Sequence, residues 1–442
     1  MTLRRRAVLQ WGVRLALLAA ALLLTLGGPL PDWLAARLAA VPWLGAERSA
    51  ALLRAIPAAS PLAWLAGTLA GRRLPAPLAW AALPALLLLL AVWRNRLFCN
   101  WLCPAGTLYA LGAKAPLKKR RLLTVRLNGV LFWTILSASL LGMTALLAVD
   151  PLSTFLRLPA LLRPAATWAA WIPGLLLPAL LLLGAVQPLA WCTHLCPLGY
   201  SFDLTHAAVR RKGAAGLRVD RVRRELLAGV AIGAPLALLG RHWLGRRALR
   251  AAGAQGHAPA IPVLPPGAES PERFAALCSR CYACVQACPT QVLRVAPPRL
   301  AEPAAAFAPE LRPYGDPFIA ERGFCKEHCT RCTEVCPVGA LRPLALAEKR
   351  DLQIGVAVIH REACIAWADQ GFCMVCQEMC PYQAIAADIL VLPDGTEVNR
   401  PVVNAAKCRG CGFCQSQCPA VRLGKAILVE GVPRQRPVVV AG

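Results

Sequence analysis

The chain has 442 residues, of which 57% are hydrophobic, and its formal net charge is +26. This composition is too apolar for a soluble protein of ordinary composition. Residues 1–254 carry 30 Lys or Arg and 6 Asp or Glu, whereas residues 255–442 carry 19 and 17. Because the basic residues lie between apolar runs, as in the loops of a membrane protein, we expect no nucleic-acid partner.

Long apolar runs in the first part of the chain predict an α-helical membrane domain with four to five transmembrane helices. Each of four runs is near the ~20 residues that cross a bilayer. These four runs are at about 8–30, 75–93, 128–149 and 168–191. A shorter run at 226–240 predicts a fifth span, and residues 50–70 predict an interfacial or re-entrant segment.

An export-like signal lies in the middle of the chain. Residues 222–240 read VRRELLAGVAIGAPLALLG, in which two arginines precede a modest apolar run, as in a twin-arginine signal. The basic loops place the N-terminal tail on the cytoplasmic side, so the fifth run would carry the rest of the chain into the periplasm of a bacterium. The alternative is a fifth run that does not span and a cytoplasmic C-terminal part.

A short cysteine motif occurs twice in the apolar part. It reads FCNWLCPAG at 98–106 and WCTHLCPLG at 191–199, so both copies are Cys-x-x-x-Cys-Pro-x-Gly. The repeat predicts that four thiols converge, and the alternative of simple packing is disfavoured. Two interpretations stay open, namely ligation of a further iron–sulfur cluster or soft metal and reversible thiol chemistry. The residues are Cys99, Cys103, Cys192 and Cys196.

Four longer cysteine motifs follow in the second part of the chain. The first, CSRCYACVQACP, begins at residue 278, and the fourth, CRGCGFCQSQCP, begins at residue 408. Between them CKEHCTRCTEVCP begins at 325 and CIAWADQGFCMVCQEMCP begins at 364. The candidate ligands are Cys278, Cys281, Cys284, Cys288, Cys325, Cys329, Cys332, Cys336, Cys364, Cys373, Cys376, Cys380, Cys408, Cys411, Cys414 and Cys418.

These motifs predict four [4Fe–4S] clusters. Three closely spaced cysteines hold three irons of a cubane from one loop, and the cysteine before proline reaches a neighbouring cluster. Zinc sites use two Cys pairs instead of runs of four, and four similar runs do not resemble a disulfide framework. The spacing leaves the pairing open: the first motif can share clusters with the fourth around the other two, or the motifs can pair sequentially.

Other cofactors find little support in the sequence. There is no Cys-x-x-Cys-His for a covalent haem, no Gly-x-Gly-x-x-Gly after a strand, and no P-loop. A b-type haem between membrane helices is also disfavoured, because His194 and His206 lie outside the predicted spans. The pattern is therefore typical of an electron carrier without a substrate-reducing centre.

On these motifs the chain resembles two families joined end to end. Residues 1–221, with the two short motifs, resemble the NapH/MauN membrane family. The rest of the chain resembles the NapG/MauM four-cluster family. It comprises a predicted transmembrane segment and linker at 222–260 and a predicted α+β ferredoxin-like domain at 261–442. NapH proteins usually add two ferredoxin clusters after the last span, which this chain lacks, so its first part is more like MauN.

The resemblance implies quinol oxidation at the inner membrane of a bacterium. Electrons from the quinone pool would pass through four [4Fe–4S] clusters in the periplasm to a c-type cytochrome or a reductase. The alternative that it implies is an accessory or maturation factor for a periplasmic redox enzyme. Neighbouring genes would distinguish the two roles.

Overall fold

In the computed structural model, several stretches of the chain are described. They are residues 3–26, 53–72, 81–115, 118–161, 174–209, 219–248, 261–295, 309–311, 323–393, 395–420 and 424–438. The chain divides into two compact units. Unit 1 comprises Met1–Leu244, Ala275–Ala287 and Val335–Ala340, and unit 2 comprises Gly245–Phe274, Cys288–Glu334 and Leu341–Gly442. The predicted boundaries at 221 and 260 stay a prediction.

Unit 1 is helical in its described part. Its α-helices are α1 (Leu3–Leu26), α2 (Pro61–Gly71), α3 (Ala82–Trp93), α4 (Leu97–Trp101), α5 (Pro104–Gly112), α6 (Asn128–Leu140), α7 (Pro151–Leu161), α8 (Leu176–Val186), α9 (Pro197–Val209) and α10 (Val219–Ala248). The last four residues of α10, 245–248, are assigned to unit 2. A 3₁₀-helix, Ala145–Val149, precedes α7, and a π-helix, Trp191–Leu195, precedes α9. Helix α12 (Ala283–Ala287) also belongs to this unit.

The core of unit 1 forms where short helices pack on one another. Helix α2 packs on α6, and α5 packs on α7 and α8. Asp150 begins α7: its carboxylate accepts the backbone N–H groups of Leu152 and Ser153, and it also accepts the Ser60 hydroxyl at 3.0 Å. Pro151 follows at the first helical position, where its missing N–H costs no hydrogen bond. This polar cap fixes the start of a helix within an apolar core.

The prediction of four to five transmembrane helices was wrong. Within the described residues, no helix combines the length and apolar character needed to cross a bilayer. Two of the apolar runs form short helices in their described parts: 81–93 contributes α3 of 12 residues, and 174–191 contributes α8 of 11 residues. At 1.5 Å per residue such helices are about 18 Å long, against ~30 Å of hydrocarbon.

Local backbone breaks shorten these helices. The 128–149 run stops as an α-helix at Leu140 and turns at Gly142, whose φ is +83°. The 226–240 run lies inside α10, which has arginines on both sides of it and Pro235 within it. Its 15 apolar residues would extend only about 22 Å. Of the predicted segments, residues 27–30, 50–52, 75–80 and 168–173 lie outside the described residues.

Unit 2 consists of short helices and two-stranded antiparallel sheets in its described part. The strands are β1 (Leu293–Val295), β2 (Pro309–Leu311), β3 (Leu352–Ile359), β4 (Ile385–Val391), β5 (Glu397–Val403) and β6 (Ile427–Pro437). They pair as β1–β2, β3–β6 and β4–β5, with Gly355 opposite Gly431 and Ala387 opposite Pro401. Its further helices are α13 (Arg331–Glu334), α14 (Leu346–Asp351), α15 (Ile365–Ala368), α16 (Val375–Glu378) and α17 (Phe413–Gln417). Helix α11 (Pro271–Leu277) spans the boundary between the units.

Candidate iron–sulfur sites

The two short motifs of unit 1 bring four thiols together, as the repeat predicted. Cys99 lies on α4, Cys103 precedes α5, Cys192 lies in the π-helix, and Cys196 precedes α9. Burial and the neighbouring thiols of Cys103, Cys196 and Cys192 raise the pKa of Cys99 well above its ordinary value. We call these four residues the four-thiol site.

Both halves of the four-thiol site use the same local geometry. The Cys103 sulfur accepts the Gly106 N–H at 3.3 Å, and the Cys196 sulfur accepts the Gly199 N–H at 3.3 Å. Each sulfur thus caps the helix that begins at the following proline, as Ser or Asp does at other helix N-termini. A Cβ at Gly106 would lie 3.0 Å from the Cys99 carbonyl oxygen, which explains the glycine of the motif.

The repeat extends to the backbone before each motif. Arg96 and Leu189 stand three residues before Cys99 and Cys192, and both have a φ of +55°. A non-glycine residue in this region is strained, so two matching instances indicate that the same bend is required in both halves.

Positive charge surrounds the thiols. Burial alone would lower the pKa of Arg96, but its ion pair with Asp203 raises it, and the guanidinium therefore stays charged. Its Nη1 also donates to the Cys192 carbonyl at 3.0 Å. Burial lowers the pKa of Arg14, and the sulfurs of Cys103, Cys192 and Cys99 oppose that shift when they are ionised. Such an environment suits an anionic group bound by thiolates.

The Tyr109 hydroxyl is the main feature that sequence reasoning missed. The side chain is 1% exposed, and its hydroxyl is buried without a hydrogen-bond partner in the described structure. Burial raises the pKa of Tyr109, and the sulfurs of Cys192, Cys196 and Cys103 raise it further. A buried O–H that interacts with three of the four sulfurs is a donor for a group held between them. No spacing rule marks Tyr109, because its motif partner in the other half is Phe202.

The longer motifs pair sequentially. The pKa of Cys278 is raised to about 12, mainly by burial, and the Cys281 and Cys336 thiols contribute to this shift. Cys336 also contributes to the raised pKa of Cys281. Cys284 is buried on α12 in the same unit. The first three cysteines of motif one and the last of motif two therefore form a set. We call it group 1: Cys278, Cys281, Cys284 and Cys336.

The complementary set lies in unit 2. The pKa of Cys325 is raised to about 11, mainly by burial, and the Cys288 and Cys329 thiols contribute to this shift. The same two thiols contribute to the raised pKa of Cys332. The exchange of the last cysteine between two motifs is the pattern of two-cluster ferredoxins. We call this set group 2: Cys288, Cys325, Cys329 and Cys332.

Motifs three and four exchange their last cysteines in the same way. Cys364, Cys373, Cys376 and Cys418 line one apolar cavity, and we call them group 3. Burial raises the pKa of Cys408 and Cys411, and Cys380 adds to both shifts. The thiols of Cys411, Cys408 and Cys380 likewise add to the raised pKa of Cys414. We call this set group 4: Cys380, Cys408, Cys411 and Cys414.

Backbone N–H groups point at several of these sulfurs. Ala357 donates to Cys408 at 3.4 Å, Ala384 to Cys380 at 3.3 Å, and Arg280 to Cys278 at 3.4 Å. Hydrogen bonds of this kind adjust the reduction potential of a cluster.

The cysteine loops share left-handed backbone positions. In motifs one and four, the residues directly before and after the second cysteine have positive φ. These residues are Arg280 and Tyr282 in motif one, and Gly410 and Gly412 in motif four. Three residues after the last cysteine, Gln291, Gly339 and Gln383 are left-handed as well. The shared conformations show that the motifs are structural repeats and not only a similar spacing.

Groups 2 and 4 lie against each other within unit 2. The Cys325 N–H donates to the Cys411 carbonyl at 2.8 Å. The adjacent rings of Phe324 and Phe413 stack with centroids 4.1 Å apart. Ligands of two different groups are thus joined by one backbone hydrogen bond.

The donor sets fit iron–sulfur clusters. Among the described residues, no three His, Cys, Asp or Glu side chains are close enough to hold a single metal ion. A zinc site needs its thiolates about 2.3 Å from one ion, whereas a cubane places each thiolate on a different iron and spreads them. Four cysteines per group, N–H···S bonds and, at the four-thiol site, an unpartnered Tyr109 hydroxyl agree with the larger group.

Comparisons with known proteins point the same way. The family model Fer4_5, a 4Fe-4S binding domain, matches residues 76–122 and 165–213, and each range contains one short motif. The ferredoxin-type protein MauM of Methylobacillus flagellatus is 35% identical over 36% of this chain and 66% of its own length. MauM of Paracoccus denitrificans is 33% identical over 44% of this chain and 82% of its own length. NapG of Escherichia coli is 34% identical over 38% of this chain and 72% of its own length.

The chain belongs to the MauM/NapG family of ferredoxin-type proteins. It is an iron–sulfur electron-transfer protein, which confirms the coarse prediction. No solved structure matches the chain. The predicted fusion with a NapH/MauN membrane subunit is not shown by these comparisons. The assignment of the individual cysteines as ligands stays a prediction, which the grouping above makes specific.

Proposed function

We propose that this protein relays single electrons through five [4Fe–4S] clusters, one in each of groups 1–4 and one in the four-thiol site. The observation that carries the proposal is the exchange of last cysteines between paired motifs, which gives each group four ligands. When bound, a cubane accepts and releases one electron without making or breaking a bond to a substrate. The protein supplies burial, ligands and hydrogen bonds that set the potential.

The proposed donor is a quinol, and the proposed acceptor is a c-type cytochrome or a reductase. The relatives named NapG and MauM are ferredoxin-type proteins, which supports electron transfer; the donor and the acceptor are part of the proposal. The expected bacterial inner-membrane and periplasmic location stays a prediction.

A second role is favoured by one observation. Four of the similar relatives carry the name "methylamine utilization ferredoxin-type protein". An accessory factor that supplies electrons during maturation of a redox enzyme would need the same clusters, but no sustained flux from quinol.

The two roles differ in a reduction experiment. The purified protein is made anaerobic, mixed with a soluble quinol such as menadiol or with dithionite, and frozen for EPR. A relay in respiration predicts cubane signals with quinol that approach those with dithionite. Signals with dithionite alone would contradict the quinol donor and favour the accessory role. The absence of cubane signals with either reductant would contradict both.

A further inference from the structure

The cysteine groups of unit 2 form a row with group 3 at one end. Group 2 touches group 4 through Cys325 and Cys411. Group 4 in turn adjoins group 3, because α16, which carries Cys376, packs on α17, which carries Cys414. Within the described part of unit 2, the order is therefore group 2, group 4, group 3.

The surface beside group 3 is unusually apolar. Five large hydrophobic side chains are exposed in the described part of unit 2, and four of them belong to residues 372–402. Phe372 is 86% exposed and directly precedes Cys373 of group 3. Ile389 and Val391, 59% and 60% exposed, lie on the face of the β4–β5 hairpin that also carries Pro401, which lines the group 3 cavity. We call Phe372, Ile389 and Val391 the apolar rim.

The hairpin is fixed beside the cavity. The Trp367 indole N–H on α15 donates to the Pro401 carbonyl at 3.1 Å. The guanidinium groups of Arg361 and Arg400 lie over the Trp367 ring at 4.2 and 4.7 Å from its centroid. These contacts hold the hairpin, with Ile389 and Val391, beside the group 3 cavity, while Phe372 adjoins group 3 through Cys373. Exposed apolar side chains grouped at one site mark an interaction surface.

The charge of this region selects the partner. Residues 359–403 contain six Asp or Glu and two Arg, and no Lys, in a chain whose net charge is +26. The two Arg are those held on Trp367, whereas Glu362, Asp369, Glu378, Asp388 and Glu397 are exposed. An acidic surface around an apolar centre attracts a partner with the opposite arrangement of charge.

We propose that the apolar rim is the docking surface for a small redox protein with a ring of basic residues around its exposed cofactor edge. The inference rests on the proposed electron relay and adds its point of exchange. A cluster held by Cys364, Cys373, Cys376 and Cys418 would supply one electron, and the ferric haem or equivalent centre of the partner would accept it. No proton moves and no covalent bond changes.

The test uses mitochondrial cytochrome c as the basic probe. The full-length protein is reduced anaerobically with dithionite, freed of excess reductant, and mixed with ferric cytochrome c in a stopped-flow instrument. The double variant Phe372→Gln/Ile389→Gln is compared with Leu346→Gln, which changes the fifth exposed apolar side chain. Ferricyanide serves as the small acceptor that needs no docking surface.

We expect the double variant to reduce cytochrome c about tenfold more slowly, because it loses buried apolar contact worth about 1.4 kcal/mol. Leu346→Gln should react like the wild type, all proteins should reduce ferricyanide equally, and the wild-type rate should fall with added salt. An unchanged rate in the double variant, or a wild-type rate that rises with salt, would overturn the proposal. A double variant that differs from the wild type in oligomeric state but not in its rate with cytochrome c would also overturn the proposal, because the rim would then contact a second copy of the chain. A wild-type protein that cannot reduce ferricyanide would instead refute the electron relay itself.

Discussion

Gly410 is the residue on which the fourth cysteine loop most clearly depends. Its φ is +73°, and a Cβ there would lie 2.4 Å from the backbone N and Cα of Gly355. We predict that Gly410→Ala lowers the free energy of unfolding by more than about 2 kcal/mol, since the left-handed backbone alone costs roughly 1–2 kcal/mol and the clash adds to it. Anaerobic denaturant titration and iron analysis measure the effect.

Gly339→Ala is the matched control for that variant. Gly339 has a φ of +67°, but nothing lies within 4 Å of its missing Cβ. Gly339→Ala should lower the free energy of unfolding by only about 1 kcal/mol, because the left-handed backbone is strained but the added Cβ meets no other atom. Equal losses in the two variants would contradict the assignment of the Gly410–Gly355 contact as the cause.

Tyr109 tests the four-thiol site at the same scale. Tyr109→Phe removes the unpartnered hydroxyl and keeps the buried ring. If the O–H donates to a cluster, its loss should lower the reduction potential by on the order of tens of millivolts, since a hydrogen bond is worth about 1 kcal/mol and 59 mV corresponds to about 1.4 kcal/mol for one electron. A potentiometric EPR titration measures this shift.

Tyr282→Phe provides the comparison for Tyr109→Phe, because Tyr282 is also buried but belongs to motif one. The signal assigned to the four-thiol site should keep its potential in that variant. A Tyr109→Phe protein with every potential unchanged would show that the hydroxyl does not donate to a cluster.

At the scale of elements, the pairing of motifs can be tested by non-additive loss of iron. Cys288 and Cys329 lie on different motifs but in the same group. Cys288→Ala and Cys329→Ala should each remove about four irons, and the double variant should remove no more than either alone. Iron and sulfide analysis of the three proteins measures this.

The control double variant is Cys288→Ala/Cys411→Ala, which should lose about eight irons because the two residues belong to groups 2 and 4. If motif one instead shared its clusters with motif four, the two double variants would exchange their results. That outcome would contradict sequential pairing.

The same scale shows what the sequence could predict. The cysteine spacing identified all six motifs, since ligands within one loop are fixed by covalent distance. It left the pairing open, because Cys336 meets Cys278 only through the tertiary fold. The apolar runs were misread as spans, because hydropathy does not reveal the extended Gln187 that ends α8 or the turn at Gly142 that follows α6. Tyr109 was missed because an isolated tyrosine carries no periodic signal.

At the scale of the whole molecule, charge and redox sites are distributed unevenly. The basic excess lies in residues 1–254, and the acidic segment 359–403 surrounds the last group of the row in unit 2. The Arg96 guanidinium and the helix N-termini at the four-thiol site provide positive potential for an anionic cluster. The acidic surface at group 3 provides the opposite sign for a partner. One chain thus offers two electrostatically different redox environments.

The measurement that tests the central claim most directly is an anaerobic count of iron and acid-labile sulfide per chain, with EPR of the dithionite-reduced protein. The account predicts about twenty irons and about twenty sulfides, with overlapping cubane signals broadened by neighbouring clusters. About sixteen of each would remove the cluster from the four-thiol site and leave groups 1–4 intact. Zinc in place of iron, or iron without sulfide, would contradict the account as a whole.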